Sequence, residues 1–310
     1  MSNHATPRPR LSVVIPARNA LCWLPGAIAS LGGAPDFEIL VVDDGSADST
    51  GDYLASIAAA DRRIRPLSTP GLGPAAARNA ALALARAPLI AFLDADDRWR
   101  RAKLQRQLEL HRLYPEIGFS FTDYRRFAEG GTELAPGFAR CPAFAARHAM
   151  RLEPFLLDSD AQAAIYAEPL VATSTVMVRT DLLRAVGGFN EQLKRAEDWD
   201  LWLHLAACAP VGCVPQALTD RLVRALDPDA PEALMRRITR SRVAAAYAPA
   251  VTALDEAAPK RYRHSQIAQQ ADRAARAGRP VRAALLRLSA LAREPGRLAL
   301  RSPLAGQRAP

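Results

Sequence analysis

LIAFLDADD, Leu89 to Asp97, is the stretch that decides how this chain is read. Five apolar residues with strand character end abruptly in three carboxylates within four positions. Side chains of an extended segment alternate between its two faces, so Asp94 and Asp96 point the same way. In an open α/β sheet, ligands bind outside the carboxyl ends of the strands. Two carboxylates aimed there suit a hard divalent cation, and such a cation suits a diphosphate.

The residues on either side repeat one pattern. LSVVI (Leu11–Ile15), closed by Pro16, reads as a first strand, and FEILVV (Phe37–Val42) as a second that ends at Asp43-Asp44-Gly45-Ser46. Trp23, Leu24, Ala27, Ile28 and Leu31 recur at helical spacing, with Gly32-Gly33 as the stop. The segment ADST (Ala47–Thr50) suits the cap of a second helix. Ile64–Leu67 suits a third strand, and the alanine-rich run Ala75–Ala87 a helix feeding Leu89–Leu93. Strand and helix alternating in short units imply a mostly parallel sheet with helices on both faces. Arg98–Tyr114 is expected as one amphipathic helix, Val171–Val178 (VATSTVMV) as a strand, and Glu197–Ala207 as a helix with an acidic start.

With 310 residues and 49% hydrophobic composition, the chain can bury a large core. The first ten residues are polar and proline-bearing, which predicts a disordered N-terminus without a secretory leader. The longest stretch without Asp, Glu, Lys or Arg, Leu201–Thr219, contains two prolines and reads as a buried helix followed by a strand. A cytoplasmic location is expected. The four cysteines form no CxxC pair and have no histidine at zinc-ligand spacing, so Cys208 and Cys213 are expected in the core. The net charge of +9 is concentrated at one end: residues 231–310 carry 16 Lys/Arg against 5 Asp/Glu, whereas residues 1–230 carry 25 against 27. Such a basic tail suits an anionic membrane surface. It holds only two aromatics, Tyr247 and Tyr262, too few to interleave with bases, so no nucleic acid is expected as a partner.

Four separated motifs occur in order: LSVVIPARN, FEILVVDDGSADST, GPAAARNAALALARAPLIAFLDADDRW and GGFNEQLKRAEDWDLWLHLA. Together, over residues 11 to about 225, they resemble the family 2 glycosyltransferases with their GT-A nucleotide-sugar fold. The resemblance implies a GT-A domain over 11–230, with a nucleotide-sugar half (11–114) and an acceptor half (115–230), followed by a helical extension (231–310). It places Asp43 against the imide of uracil, where a carboxylate accepts from N–H. Pro16 and Asn19 match the family's first loop, beside the base. Arg78, in Ala77-Arg78-Asn79, would reach the base or the phosphates. Asp94-Ala95-Asp96 matches the DXD motif, with Asp94 at the ribose or a metal-bound water and Asp96 on Mg2+ or Mn2+; whether Asp97 shares that task is left open. Glu197-Asp198 matches the family's ED pair, with Asp198 as the general base that deprotonates the acceptor hydroxyl. Trp199 and Trp202 are expected to be packing residues.

Two departures stand out. Arg18 precedes Asn19, and Ala20-Leu21 follow it, where the family often has an aromatic residue and a glutamate. Arg221 to Leu226 occupies the place of a Tyr-Arg-x-His segment, with Leu226 where the histidine would stand, which suggests a metal sphere completed by water or a looser metal dependence. The Gln-x-x-Arg-Trp signature of processive synthases is missing, so a single-addition enzyme is expected. The expected reaction is inverting transfer of one sugar from a UDP-sugar to a hydroxyl of a carbohydrate or lipid-linked acceptor. The alternatives are a non-catalytic nucleotide-sugar-binding relative and a sugar nucleotidyltransferase, against which the loop PARNALCWL lacks a glycine-rich phosphate cradle.

Overall fold

The computed structural model describes residues 8–33, 36–224 and 230–291. The first half alternates as expected: β1 (Leu11–Ala17), α1 (Leu24–Ala29), β2 (Phe37–Asp44), α2 (Thr50–Ala60), β3 (Ile64–Thr69), α3 (Pro74–Leu84) and β4 (Leu89–Phe92). β1 and β2 are buried on both faces, as continuous apolar strands must be. Pro16 sits within β1, and no helix-capping bond comes from Ser49; the Thr50 amide donates instead to Asp48 Oδ1 at 3.1 Å.

The chain then becomes mixed. β5 (Arg98–Trp99) and α4 (Lys103–Leu113) replace the single helix expected over 98–114, because Arg98 and Trp99 pair with a later strand. β6 (Phe119–Ala128), β7 (Glu133–Leu134), α5 (Pro142–His148), β8 (Phe155–Leu156) and α6 (Ala161–Ala167) follow. The stretch expected as one strand over 171–178 is a 3-10 turn, Thr173–Thr175, leading to β9 (Met177–Arg179). The hydroxyls explain the difference: Thr175 Oγ1 donates to the Ala172 carbonyl at 2.6 Å, and such local bonds compete with a ladder. α7 (Thr180–Ala185), α8 (Glu197–Cys208) and β10 (Val211–Val223) complete the α/β layer. Of the two cysteines expected in the core, Cys213 is buried, but Cys208 is exposed at the end of α8.

The sheet order is β3-β2-β1-β4-β9-β6-β10-β5. β9 runs antiparallel to both β4 and β6, which makes β6 and its parallel neighbour β10 run the same way as β1, β2 and β4. β3 is parallel to β2, so the carboxyl ends of six strands share one edge. β10 shifts register on either side of Ala217, and such bulges re-aim the side chains that follow.

Three helices end the described chain: α9 (Pro231–Leu254), α10 (Ala258–Arg276) and α11 (Pro280–Leu291). α9 and α10 are not a detached appendage. Val243, Ala244, Val251 and Ala258 join the main apolar core, with Trp199 and Trp202 of α8. Trp199 stacks on Tyr262 of α10, ring centres 5.4 Å apart, and its indole N–H donates to the Ile165 carbonyl. No helix among the described residues is long and apolar enough to cross a membrane.

Candidate active site

A cleft of about 930 Å³ opens where the shared strand edge meets α8 and the start of α9. Pocket volumes of this order hold nucleotide-sized ligands. Asp94, Asp96 and Asp198 all line it, as do Pro16, Asn19 and Arg78. Residues as distant in the chain as Pro16, Asp94 and Asp198 thus meet because the ends of β1 and β4 lie beside the start of α8.

The three carboxylates after β4 divide into two kinds. Asp94 and Asp96 face the cleft, whereas Asp97 is turned into the protein and 2% exposed. Asp97 accepts from the Ser174 hydroxyl at 2.6 Å and from the Leu222 amide at 3.0 Å. Burial, with the charge of Asp94 next, pushes its carboxyl up to about 8. Asp97 therefore ties β4 to the 3-10 turn and β10, and does not present a ligand to the cleft. Burial and then the Asp94 charge also raise Asp96, against the opposing charge of Arg224. Two carboxylates that repel each other in a half-dry cleft are the donor set a divalent cation relieves. Among the described residues no group of three or more His, Cys, Asp or Glu is placed to hold a metal. The pair nevertheless fits a cation of the Mg2+ type, which commonly takes one or two carboxylates and fills its remaining positions with substrate phosphates and water.

Arg78 joins this corner to the ED pair. Its guanidinium is buried and donates to Asp94 at 2.8 Å and to Glu197 at 3.2 Å, while the Phe189 ring lies 5.3 Å beneath it. The neighbouring Asn79 explains why the ARN and GGFN motifs occur together. Its side chain clamps the Phe189 backbone, donating to the carbonyl at 2.8 Å and accepting from the amide at 2.9 Å. Gly188, at φ +73, is the residue whose missing Cβ lets Asn79 approach.

Ala196 enters α8 in the left-handed conformation, φ 64, and turns the chain so that Glu197 and Asp198 stand at the helix start. Asp198 accepts from the Trp199 amide at 2.7 Å and from the Thr173 hydroxyl at 3.1 Å. Burial opposes its charge, but Arg240 and Arg78, helped by the Trp199 amide, prevail and hold the carboxyl below its ordinary value. Glu197 moves the other way, raised by burial and by the charge of Asp198. The adjacent acids are thus pushed in opposite directions, Asp198 toward its charged form and Glu197 toward its neutral one.

In the first loop, Asn19 is left-handed (φ 48); its amide donates to Ser46 Oγ, and its side-chain oxygen accepts from the Ala47 amide. Asp43, at the end of β2, is in register with Ala17, which lines the cleft, and accepts from the Ser46 amide at 3.0 Å. Its neighbour Asp44 is the one among the cleft-lining residues, held by Thr69 and by the amides of Leu72 and Gly73.

Several further arginines line the cleft. Arg221 and Arg224 reach it from β10 and just beyond; Arg224 donates to Asp96 at 2.8 Å and lies over the Trp23 ring. Leu226, the position expected to replace a histidine, lies outside the described residues. Arg236 and Arg240 come from α9, the segment read from sequence as a membrane-facing tail. Arg240 sits 4.4 Å over the Trp199 ring. The available signal was the spacing of Arg236, Arg237 and Arg240 on a helix whose first turn holds a single acid, Glu232.

Comparison with known proteins agrees with this geometry. Residues 12–154 match the family described as glycosyl transferase family 2. They belong to that family. The chain is 38% identical over 130 residues to a putative teichuronic acid biosynthesis glycosyltransferase of Bacillus subtilis, covering 41% of this chain and 51% of that protein. It is 32% identical over 215 residues to an uncharacterized glycosyltransferase of Rickettsia felis, covering 68% of this chain and 32% of the other. The chain thus spans about half, or less, of the length of these curated relatives. The Staphylococcus aureus TarS fragment 1–349 in complex with UDP-GlcNAc superposes with a TM-score of 0.58 at 17% identity, covering 90% of this chain and 91% of that one. A mannosyltransferase from Pyrobaculum calidifontis in complex with GDP-Man and Mn2+ gives 0.58 at 19% identity, covering 93% and 81%. The fold of the chain is the GT-A fold.

Proposed function

We propose that this family 2 chain transfers one sugar from a nucleoside diphosphate donor, a UDP-sugar, to a hydroxyl of a saccharide or lipid-linked acceptor, with inversion. The observation that carries the reading is the convergence of Asp94, Asp96 and Asp198 in one cleft. Asp43, at the end of β2, would accept the uracil imide proton, and Pro16 and Asn19 would flank the base. Arg78 would hold Asp94 and Glu197 in place from beneath the donor. Asp198, which lines the cleft at the start of α8, would take the proton of the attacking hydroxyl as its oxygen meets the anomeric carbon opposite the diphosphate. A single carboxylate base and an in-line attack require no glycosyl-enzyme intermediate. Asp94 and Asp96 would hold Mn2+ or Mg2+, which supplies charge neutralisation for the departing diphosphate. The UDP- and GDP-sugar complexes of the two superposable proteins, one with Mn2+, support a donor of this class, and the Bacillus relative supports a role in cell-surface polysaccharide synthesis.

The experiment is a donor-hydrolysis and transfer screen across UDP-, GDP- and dTDP-sugars, with Mn2+ and with chelator. Turnover of a UDP-sugar that chelator removes is expected. Equal turnover with and without metal, or none with any donor, would overturn the reading. The basic C-terminal helices, where Val281, Leu285 and Leu288 are exposed, would support contact with an anionic membrane at its inner face. Cosedimentation with anionic vesicles should fall for Leu285→Ser/Leu288→Ser, and unchanged binding would remove that part.

A further inference from the structure

Behind the cleft wall, α9, α10 and α11 enclose a second, small cavity of about 30 Å³. It is lined by Arg236, Arg237 and Arg240 of α9 and by Gln266, Gln269 and Arg273 of α10; among the described residues no Asp or Glu lines it. Three of its buried polar atoms, Arg240 Nε and the side-chain nitrogens of Gln266 and Gln269, have no hydrogen-bond partner. All three are donors. Buried donors without acceptors are costly, and native proteins rarely leave several together unless something else supplies the acceptors. The positive charge is crowded: burial and the charge of Arg240 hold both Arg236 and Arg273 down at about 10, with Asp198 the acid that acts against this on Arg236. Arg236 and Arg240 line the cleft as well, beside Asp198, so this cavity adjoins the cleft at its base-bearing end.

We propose that this cavity is an anion subsite that receives a phosphate group carried by the acceptor substrate. Guanidinium forks and amide donors converging from two helices suit the several oxygens of a phosphate ester. The position follows from Asp198: an acceptor whose hydroxyl meets that carboxylate lies next to Arg236 and Arg240, away from the Asp94–Asp96 corner. The acceptor would then be a sugar or polyol phosphate, or a phosphodiester-linked polymer of such units. This assignment rests on the glycosyl-transfer reading above, while the anion site itself rests on the cavity alone.

The test uses the full chain and inorganic phosphate as the probe. Calorimetric titration at low ionic strength should show binding that weakens tenfold or more in Arg237→Gln and Arg273→Gln, neither of which lines the cleft. Phosphate should raise the melting temperature of the wild type and not of the variants. Without phosphate, both variants should melt no lower than the wild type, because each removes a cation from a crowded group; a lost response is then not a misfolded protein. Donor hydrolysis should be unchanged in both. Paired neutral and phosphorylated acceptors separate the sources of the anion. The phosphorylated member should have a KM at least tenfold lower in the wild type, and Arg273→Gln should abolish that preference at constant kcat. Free phosphate should compete with the acceptor. Equal phosphate binding by wild type and variants would overturn the site; phosphate that binds there without competing would overturn its assignment to the acceptor. Failure to hydrolyse any donor would sink the functional reading, yet the calorimetry would still decide the anion site.

Discussion

Replacing Arg78 with methionine is the most demanding perturbation that the site's geometry permits. The guanidinium is buried, 6% exposed, between Asp94 (28% exposed) and Glu197 (11% exposed). Removing one member of a buried ion pair costs about 3–5 kcal/mol, mostly because the remaining charge is left uncompensated. Asp94 is open enough to recruit water, so Arg78→Met should lie at the low end, about 3 kcal/mol. Glu197 has no such recourse. Burial and the Asp198 charge already raise its pKa, and losing Arg78 raises it further. Its folded value then stands above the unfolded value of about 4.3. The folded variant keeps a proton that the unfolded chain releases, so its stability falls as pH rises through that window. The deficit against wild type should be smallest near pH 4 and full at neutral pH. Urea denaturation at several pH values, with Arg78→Met and Arg78→Met/Glu197→Gln, measures it. The double variant should recover about 1–2 kcal/mol at pH 7, the usual cost of one buried unpaired charge-bearing group. A deficit below about 1 kcal/mol, flat with pH and untouched by Glu197→Gln, would refute the bridging role.

Three further outcomes are expected. Gly188→Ala places a Cβ 2.5 Å from Asn79 Oδ1 at φ +73; it should destabilise by about 2–3 kcal/mol in denaturant melts and weaken the Phe189 clamp. Ala196→Gly should relieve the left-handed entry to α8 and stabilise by up to about 1 kcal/mol, measured the same way; a loss of that size would mean that Ala196 is not strained. Lys103 is fully buried, donates to Gln107 at 2.6 Å, and is held well below its ordinary pKa by burial. The unfolded chain therefore takes up a proton at higher pH than the folded one, and wild-type stability falls as pH drops below about 10.4. Lys103→Met should remove that slope, gaining on the wild type between pH 10 and 7; parallel pH curves would contradict it.

The first ninety-seven residues were legible because β1, β2 and β4 are largely apolar runs buried on both faces, which admits few other readings; β3, at the sheet edge, is only half buried. The errors fell where side chains outbid the backbone pattern. Thr173–Thr175 looks like a strand by β-branching, yet its hydroxyls bond locally and reach Asp97 and Asp198. Arg98-Trp99 looks like the start of a helix, but pairs with Asp220 and Thr219 of β10, more than a hundred residues away. The acidic residues of the site were readable from position alone, since each follows a strand or opens a helix. The separation of Asp96 from Asp97 was not, because which carboxylate turns inward depends on Ser174 and on the Leu222 amide. The arginines of α9 were also hidden: their charge is plain in the sequence, but their place beside the cleft depends on α9 and α10 docking over Trp199.

The central claim is that Asp198 removes the acceptor proton while the donor is held by other groups. Asp198→Asn keeps an oxygen to accept the Trp199 amide and leaves Asp94, Asp96 and Arg78 in place. Transfer by this variant, measured beside its affinity for the donor, tests the claim directly. Loss of the base should lower kcat by about 10²–10⁴-fold, the usual range for a general base, with donor affinity within a few-fold of wild type. Transfer at the wild-type rate would contradict the account.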